Sequence, residues 1–104
     1  MSPYLATTIF MVGTGSDYTD RQKAVLGIVV EEDAEETVRA LAARLKVSKP
    51  AITRAIDKLA NIGLVKRVTD PADRRSVLIS AMAAGRREWA KIQQIHAKAG
   101  PEAA

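Results

Sequence analysis

The chain has 104 residues, of which 47% are apolar and 27% are charged, so it can form a single domain with its own core. It has no cysteine and one histidine, His96, which excludes disulfide scaffolds and thiol catalysis and leaves little for a histidine metal centre. The formal net charge is +4, and no apolar run approaches the ~20 residues that span a bilayer, so we expect no membrane partner. No nucleophile–base pair, metal cluster or phosphate cradle is visible in the sequence, so we expect no cofactor and no enzymatic activity.

The first residues of the chain, before the first predicted helix, combine a β-prone run with a glycine-rich turn. Residues 5–12 are β-prone and are followed by a Gly-Thr-Gly sequence, which we interpret as a plain turn because the rest of a dinucleotide fingerprint is absent. Thr19 and Gln22 have the spacing of a capping box, which predicts a helix from this point to about Glu31. The acidic residues 31–36 then predict a solvated loop.

Two further helices separated by about three residues are predicted next. Thr37 is suited to cap a short helix, because the apolar residues that follow it recur at helical spacing up to Leu45. Ser48 is suited to cap another helix, with Pro50 tolerated in its first turn and Gly63 placed to end it. The predicted buried stripe of that helix consists of Ile52, Ala55, Ile56 and Leu59. Two helices joined in this way are typical of a helix-turn-helix.

A hairpin and a last helix complete the predicted order. Residues 64–68 and 76–80 are β-prone runs on either side of a turn rich in Pro and Asp, and a helix follows from about Ala83 to Ala99. We therefore predict a mainly α fold with a small β-hairpin, a winged helix-turn-helix. Its parts are an N-terminal segment (1–18) that is a possible dimerisation strand, the winged helix-turn-helix DNA-binding domain (19–81), and a C-terminal helix with a frayed tail (82–104).

The basic residues are concentrated in the second part of the chain. Residues 17–36 contain seven acids and two bases, whereas residues 37–98 contain fourteen bases and four acids, a balance of +10. Such a distribution is expected of a protein that binds a polyanion, although a solvated surface of mixed charge is an open alternative. No aromatic residue lies between positions 19 and 88, which disfavours base stacking on single strands and favours duplex binding.

The candidate DNA contacts lie on the predicted third helix and on the hairpin. The side of that helix opposite its buried stripe carries Lys49, Ala51, Thr53, Arg54, Asp57 and Lys58. In a major groove Arg54 could pair with guanine, and Ala51 or Thr53 could touch a thymine methyl group. Ser48 and the first amides of the helix suit a phosphate oxygen, and Arg74 and Arg75 at the hairpin tip suit a narrow minor groove.

Each of these features also has a structural interpretation. The cations of the third helix could simply be the solvated side of an amphipathic helix. Arg74 and Arg75 could pair with Asp70 and Asp73 to tighten the turn. We favour DNA binding because both basic features would face the same way in a winged helix. A protein–protein module that docks its basic face on an acidic partner is the alternative function.

Three motifs resemble those of the MarR family of bacterial transcription regulators. They are Leu41-Ala42-x-x-Leu45-x-Val47-Ser48, then Leu59-x-x-x-Gly63-Leu64-Val65-x-Arg67, then Asp70-Pro-x-Asp73-Arg74-Arg75. The resemblance covers roughly residues 19–91 and implies a homodimer that binds a near-palindromic operator. It implies that Asp73 holds Arg75 by an ion pair while Arg75 reaches the minor groove. The recognition-helix contacts of the family fall on Ser48, Lys49, Ala51, Thr53 and Arg54.

The chain departs from the family at Ala81 and Met82, where a Leu-Thr pair usually precedes and caps the next helix, and Ser80 is the candidate substitute cap. Family members are usually longer at both ends, so we expect a reduced dimer interface. We assign it to the N-terminal segment and to the last helix, through Ile9, Phe10, Trp89, Ile92 and Ile95, with Leu5 and Val12 also in the strand. Packing of Trp89 against the first helix of the same chain is an equal alternative.

These observations together predict a sequence-specific regulator of transcription that binds double-stranded DNA as a homodimer. We expect it to act as a repressor, in the cytoplasm and associated with the nucleoid. The sequence leaves open whether a small-molecule effector exists. His96 is expected to be solvated or stabilised by the helix dipole, with a pH switch or a metal ligand as alternatives.

Overall fold

The computed structural model describes residues 1–3, 5–6, 9, 18–32 and 35–99, without the side chains of residues 96, 98 and 99. Between residues 18 and 99 the elements follow the predicted order, with the addition of one short strand. In chain order they are α1 (Asp20–Glu31), β1 (Glu36–Thr37), α2 (Val38–Leu45), α3 (Lys49–Asn61), β2 (Val65–Thr69), β3 (Val77–Ala81) and α4 (Ala83–Ala99). The predicted winged helix-turn-helix fold is thereby confirmed.

Hydroxyl side chains cap α1, α2 and α3 at the predicted residues. Thr19 Oγ1 accepts a hydrogen bond from the Gln22 amide at 3.1 Å, and the Gln22 side chain accepts one from the Thr19 amide, which confirms the capping box. Thr37 and Ser48 each accept from the amide three residues further on, at 3.0 and 3.3 Å. These bonds satisfy amides that the helices leave without a partner, so each helix begins at a defined residue.

Two residues with positive φ end the helices of the helix-turn-helix. Gly63 has φ +79° just after Ile62, the residue that caps the end of α3, as predicted from its position. Lys46 has φ 58° at the end of α2, and its amide bonds to the Ala43 carbonyl at 3.3 Å. The left-handed conformation is favourable for Gly63 and costs free energy at Lys46, which has a Cβ. The two residues thus mark the ends of α2 and α3.

The sheet has the order β1-β3-β2, and both pairings are antiparallel. The hairpin register places Val65 opposite Ala81 and Arg67 opposite Ile79, and we call β2, the turn 70–76 and β3 the wing. The pairing of β1 with β3 was not predicted, and residue 36 was assigned to a loop. A strand of two residues is too short to show an alternating pattern, so the sequence carried no signal for it.

The core lies where α1, α2 and α3 pack over the inner face of the sheet. The predicted stripe of α3 is buried in full, and Ile79 of β3 is completely covered. The largest side chains in this core are those of Val25, Leu26, Val29, Leu41, Ile52, Ile56, Leu59, Val65 and Ile79. Because α3 packs its apolar stripe against this core, its opposite side faces solvent.

The last helix packs against α1 of the same chain. The Trp89 indole N–H donates to Glu31 Oε2 at 2.9 Å, and the Tyr18 hydroxyl donates to Glu88 Oε2 at 2.6 Å. Ile92 and Ile95 are only 4% and 8% exposed. These contacts support the intramolecular alternative for Trp89, and they leave little apolar surface on Ile92 or Ile95 for a dimer to bury.

The suggestion that Ser80 caps the start of α4 is wrong. Ser80 lies inside β3, opposite Lys66, and therefore does not replace the missing threonine cap. The Met82 carbonyl accepts from the Arg86 amide at 3.1 Å, and the Met82 amide donates to the Leu64 carbonyl at 3.0 Å. Backbone contacts with the end of the helix-turn-helix thus fix the beginning of α4.

The predicted strand at residues 5–12 is wrong for the residues that the structure describes there. Leu5, Ala6 and Ile9 are helical, and the Ser2 hydroxyl accepts from the Leu5 amide at 3.1 Å. A helical turn satisfies its own amides, whereas a lone strand needs a partner for them. Phe10, the remainder of this segment and the His96 side chain lie outside the described residues. Of the helices in the described ranges, none has the length and apolarity that a bilayer crossing requires.

Candidate nucleic-acid interface

The outer face of α3, which we define as Lys49, Thr53, Arg54, Asp57 and Lys58, is exposed to solvent. Ser48, the cap residue at its beginning, is also exposed. The assignment of Ala51 to this face is wrong. Ala51 is 6% exposed and belongs to the buried stripe, because it lies one turn before Ala55, so its methyl group cannot reach a thymine.

Asp57 is the acid among the cations of this face, and it forms an ion pair with Arg67 of β2. The side chains are 54% and 39% exposed, respectively, so the pair stands at the edge of the outer face rather than in the core. Neither the pair nor any role for Arg67 was predicted beyond its place in a motif. The sequence spacing of ten residues between a helix and a strand carries no simple periodic signal.

The turn of the wing is held by two aspartates that bind backbone amides. Asp70 Oδ1 accepts from the Ala72 amide at 2.8 Å, and Asp73 Oδ1 accepts from the Arg75 amide at 3.1 Å. The Ser76 amide donates to the Asp73 carbonyl at 2.9 Å, and the Asp70 amide donates to the Ser76 carbonyl at 3.0 Å. Carboxylates that bind nearby amides are a common way to fix a turn. The turn is therefore closed without the guanidinium groups of Arg74 and Arg75.

Arg75 projects from this turn into solvent. Its side chain is 95% exposed, while its Nε lies 3.6 Å from Asp73 Oδ1. Arg74 is exposed next to it. The carboxylate that fixes the backbone of the turn thus also restrains the base of the Arg75 guanidinium. A cation held at one end and open to solvent at the other can contact an external anion.

A cleft of about 670 Å³ lies between the wing and the helix-turn-helix. Cations from three different elements line it: Arg39 of α2, Lys49 of α3 and Arg75 of the wing. All three are exposed. Sequence reasoning missed Arg39, although its place two residues after the cap Thr37 puts it in the first turn of α2, where a helix-turn-helix passes close to the DNA backbone.

A second, smaller cleft of about 260 Å³ lies elsewhere, beside Gly27, Trp89 and Arg44. The Arg44 guanidinium donates to Glu32 Oε1 at 2.7 Å. This bond lowers the pKa of the Glu32 carboxyl and raises the pKa of Arg44. Both partners are solvent-exposed, so the pair is a surface contact of small energetic weight.

The described residues do not bring together the side chains of a metal centre. Among them, no three histidine, cysteine or carboxylate groups gather closely enough to hold an ion. The chemistry that this surface offers is that of exposed guanidinium and ammonium groups, a hydroxyl and backbone amides, all of which bind phosphate oxygens or base edges.

Comparison with known proteins agrees with this geometry. A family model described as the MarR family matches residues 16–76, which is more than half of the chain. The HTH-type transcriptional regulator Mb0904 of Mycobacterium bovis is 45% identical to this chain over 49 residues, which make up 47% of this chain and 34% of that protein.

Two solved structures of regulators from Rhodococcus are also similar. The crystal structure of CouR from Rhodococcus jostii, bound to p-coumaroyl-CoA, has a TM-score of 0.74 and 32% identity. A MarR-family regulator from a Rhodococcus species has a TM-score of 0.76 and 31% identity. Each comparison covers 90% of this chain and 64% of the other. The chain therefore spans about a third of the length of the curated relative and just under two thirds of these two.

Proposed function

We propose, from the premise that this chain belongs to the MarR family of winged-helix transcription regulators, that it binds a specific double-stranded DNA operator with the outer face of α3 and the wing. The observation that carries the proposal is the cleft that Arg39, Lys49 and Arg75 line from three elements. A duplex presents phosphates on both sides of a groove, so cations from neighbouring elements can bind it simultaneously.

In this proposal α3 enters the major groove with its N-terminal half. Arg54 lies on the exposed side of the helix and can make a two-pronged contact with guanine, while the Thr53 methyl can touch a thymine. Ser48 and Lys49 at the beginning of the helix, and Lys58 towards its end, bind phosphates. The positive end of the helix dipole adds to the attraction at Ser48.

The wing contacts the adjacent minor groove through its tip. The exposed Arg75 inserts into the groove, where a narrow width strengthens the negative potential, and Arg74 binds the flanking backbone. Asp73 keeps Arg75 in place through both the turn amide and the guanidinium. The Arg39 side chain binds a phosphate between the two grooves.

We further propose that two copies bind together as a homodimer. Leu5 and Ile9, each of which has a helical backbone conformation, are 47% and 52% exposed, and a second copy would cover them. Phe10 stays part of this interface as an expectation. The spacing of the two copies would place their α3 helices on successive turns of one duplex face. Sedimentation of the chain at micromolar concentration with and without DNA tests this, and a monomer under both conditions contradicts it.

The regulator acts as a repressor by occupying its operator. A bound winged-helix dimer covers both grooves of its site, which is sufficient to exclude polymerase from an overlapping promoter. A reporter driven by a promoter that contains the operator should lose expression when the chain is produced. Increased expression would contradict repression while leaving DNA binding intact.

The experiment that tests the proposed function is selection of bound duplexes from a random pool at physiological salt. An inverted repeat with half-sites about one helical turn apart is expected, because each α3 helix reads one half-site. Enrichment of a single half-site would support recognition without the dimer. A chain that is indifferent to DNA would overturn the proposal and favour a module that docks on an acidic protein.

A further inference from the structure

Val77 is an apolar residue of the wing that the core leaves uncovered. Alternate side chains of a strand lie on the same face, so Val77 shares the inner face of β3 with Ile79. Ile79 is completely buried in the core, whereas Val77, two residues nearer the turn, is 40% exposed. The apolar inner face of the sheet therefore extends beyond the core and reaches solvent.

Val38, the first residue of α2, continues this apolar surface. It directly follows Thr37, which pairs with Leu78, the neighbour of Val77 in β3. Val38 is half-buried and packs against the core, and it lines the same cleft as Val77, between the wing and the helix-turn-helix. We call Val38 and Val77 the valine pair of the cleft.

Three exposed cations share the cleft with the valine pair. They are Arg39, Lys49 and Arg75. The acid that also lines the cleft, Asp73, accepts a hydrogen bond from the Arg75 amide and lies 3.6 Å from the Arg75 Nε, so its charge is already engaged. The cleft therefore offers a partner two apolar side chains together with an excess of positive charge.

The sugar–phosphate backbone of DNA has the matching chemistry. Its phosphates are negative, and each deoxyribose between them presents carbon-bound hydrogen atoms. In the proposed function α3 occupies the major groove and the tip of the wing occupies the adjacent minor groove. The strand that separates these two grooves then passes the cleft that separates α3 from the wing, with its phosphates near the cations and its sugars near the valine pair.

We infer that the valine pair packs against a deoxyribose of this strand, and that Val77 thereby selects deoxyribose over ribose at the nucleotide that the cleft holds. Removing apolar area of both partners from water stabilises the contact. A ribose at the same place would bury its 2′-hydroxyl against valine without a hydrogen-bond partner, which is unfavourable. The inference rests on the proposed function and adds a selectivity that the cations cannot provide, because DNA and RNA phosphates carry the same charge.

The experiment measures the Kd of labelled duplexes by fluorescence anisotropy. The selected duplex is compared with duplexes in which one ribonucleotide is moved in turn through every position of each strand. We expect one sensitive position in each half-site, where the 2′-hydroxyl weakens binding of the wild type roughly three- to tenfold. A 2′-fluoro nucleotide at that position controls for sugar pucker, because it lacks the hydroxyl donor, and should bind more tightly than the ribonucleotide.

Val77→Thr tests whether Val77 causes this selectivity. Threonine keeps the β-branched shape that suits a strand and replaces one methyl group by a hydroxyl. The variant should bind the unmodified duplex roughly two- to fivefold more weakly. It should lose most of the penalty for the ribonucleotide at the sensitive position, because the threonine hydroxyl can pair with the 2′-hydroxyl. A purely structural role of Val77 would instead weaken both duplexes by the same factor.

Met82→Gln is the matched control, because Met82 is also 40% exposed but does not line the cleft. It should leave both the Kd and the ribonucleotide penalty unchanged. The urea midpoint of each variant reports folding. If Val77→Thr does not fold, the ribonucleotide scan of the wild type tests the inference without it.

Two results overturn the inference while the proposed function stands. One is a wild-type chain that binds every ribonucleotide-containing duplex as tightly as the unmodified one. The other is a folded Val77→Thr variant that keeps the full penalty at the sensitive position. A wild-type chain that binds no duplex overturns the proposed function and this inference with it, and would leave an acidic protein as the partner of the cleft.

Discussion

Gly27 of α1 lies directly beneath the indole ring of Trp89. A Cβ at Gly27 would stand 2.6 Å from Trp89 Cη2 and 2.7 Å from Cζ2, which is closer than two carbon atoms can approach. The same indole donates its N–H to Glu31, one turn further along α1. The last helix, α4, is therefore held against α1 by a contact that only glycine at position 27 permits.

Replacing Gly27 by alanine should destabilise the fold. The ring is rigid and anchored at its nitrogen, so α4 must shift to make room, at a cost of about 1–3 kcal/mol. Alanine is favoured over glycine within a helix by roughly 1 kcal/mol, which offsets only part of this cost. Urea unfolding of Gly27→Ala against the wild type measures the net change.

The effect should depend on the ring itself. In a Trp89→Leu background the added methyl group has no indole to meet, so Gly27→Ala should become neutral or stabilising there. A double-mutant cycle gives the coupling between the two positions. Stabilisation by Gly27→Ala with Trp89 present would show that the contact is looser than described.

Tyr18 should titrate well above an ordinary tyrosine. Burial, together with the hydrogen bond to Glu88 and the charge of that carboxylate, raises the pKa of Tyr18 from 10.0 to about 12. The folded-state pKa is above the unfolded value, so the stability that Tyr18 contributes is fully present below pH 10. It is lost as the pH rises from 10 towards 12.

Absorbance of tyrosinate in a Tyr4→Phe background isolates Tyr18, because the chain has two tyrosines. The midpoint is expected near pH 12, and Glu88→Gln should lower it by removing the negative charge. A midpoint at pH 10.0 in the folded chain would mean that Tyr18 is neither buried nor in contact with Glu88.

The two residues with positive φ should respond to substitution in opposite directions. Lys46→Gly should stabilise the chain by roughly 0.5 kcal/mol, because glycine adopts φ 58° without a steric penalty. Gly63→Ala should destabilise it by roughly 1 kcal/mol through backbone strain alone, since a Cβ there meets no atom within 4 Å.

Ala43→Gly, within α2, is the matched control for Lys46→Gly. It should cost roughly 1 kcal/mol because position 43 is in the regular part of a helix. Thermal unfolding of the three variants compares them directly. Equal effects of glycine at positions 43 and 46 would contradict the left-handed conformation of Lys46.

The helix boundaries could be predicted because each depends on a few adjacent residues. Thr19, Thr37, Ser48 and Gly63 act through bonds or dihedral angles within three residues of themselves, and the structure has each in its predicted role. The α3 stripe likewise follows from helical spacing. Its error at Ala51 arose because a small residue at the edge of such a stripe has no distinct hydrophobic signal.

The features that the sequence did not reveal depend on distant pairs. Asp57 meets Arg67 across a helix and a strand, and β1 exists only because β3 provides an edge for it. Arg39 becomes part of the candidate interface only when the wing closes a cleft around it. Helix contacts in the first residues of the chain also outweighed the β propensity of residues 5, 6 and 9.

The affinities of three variants, Arg54→Ala, Arg75→Ala and Arg44→Ala, for the selected duplex test most directly whether α3 and the wing together bind one duplex. Arg54→Ala should weaken the selected site by about 1–3 kcal/mol and a scrambled duplex less, because it removes a base contact. Arg75→Ala should weaken binding most where the flanking minor groove is narrow. Arg44→Ala should bind like the wild type. If Arg54→Ala and Arg75→Ala also bind the selected duplex as tightly as the wild type, α3 and the wing do not bind it together.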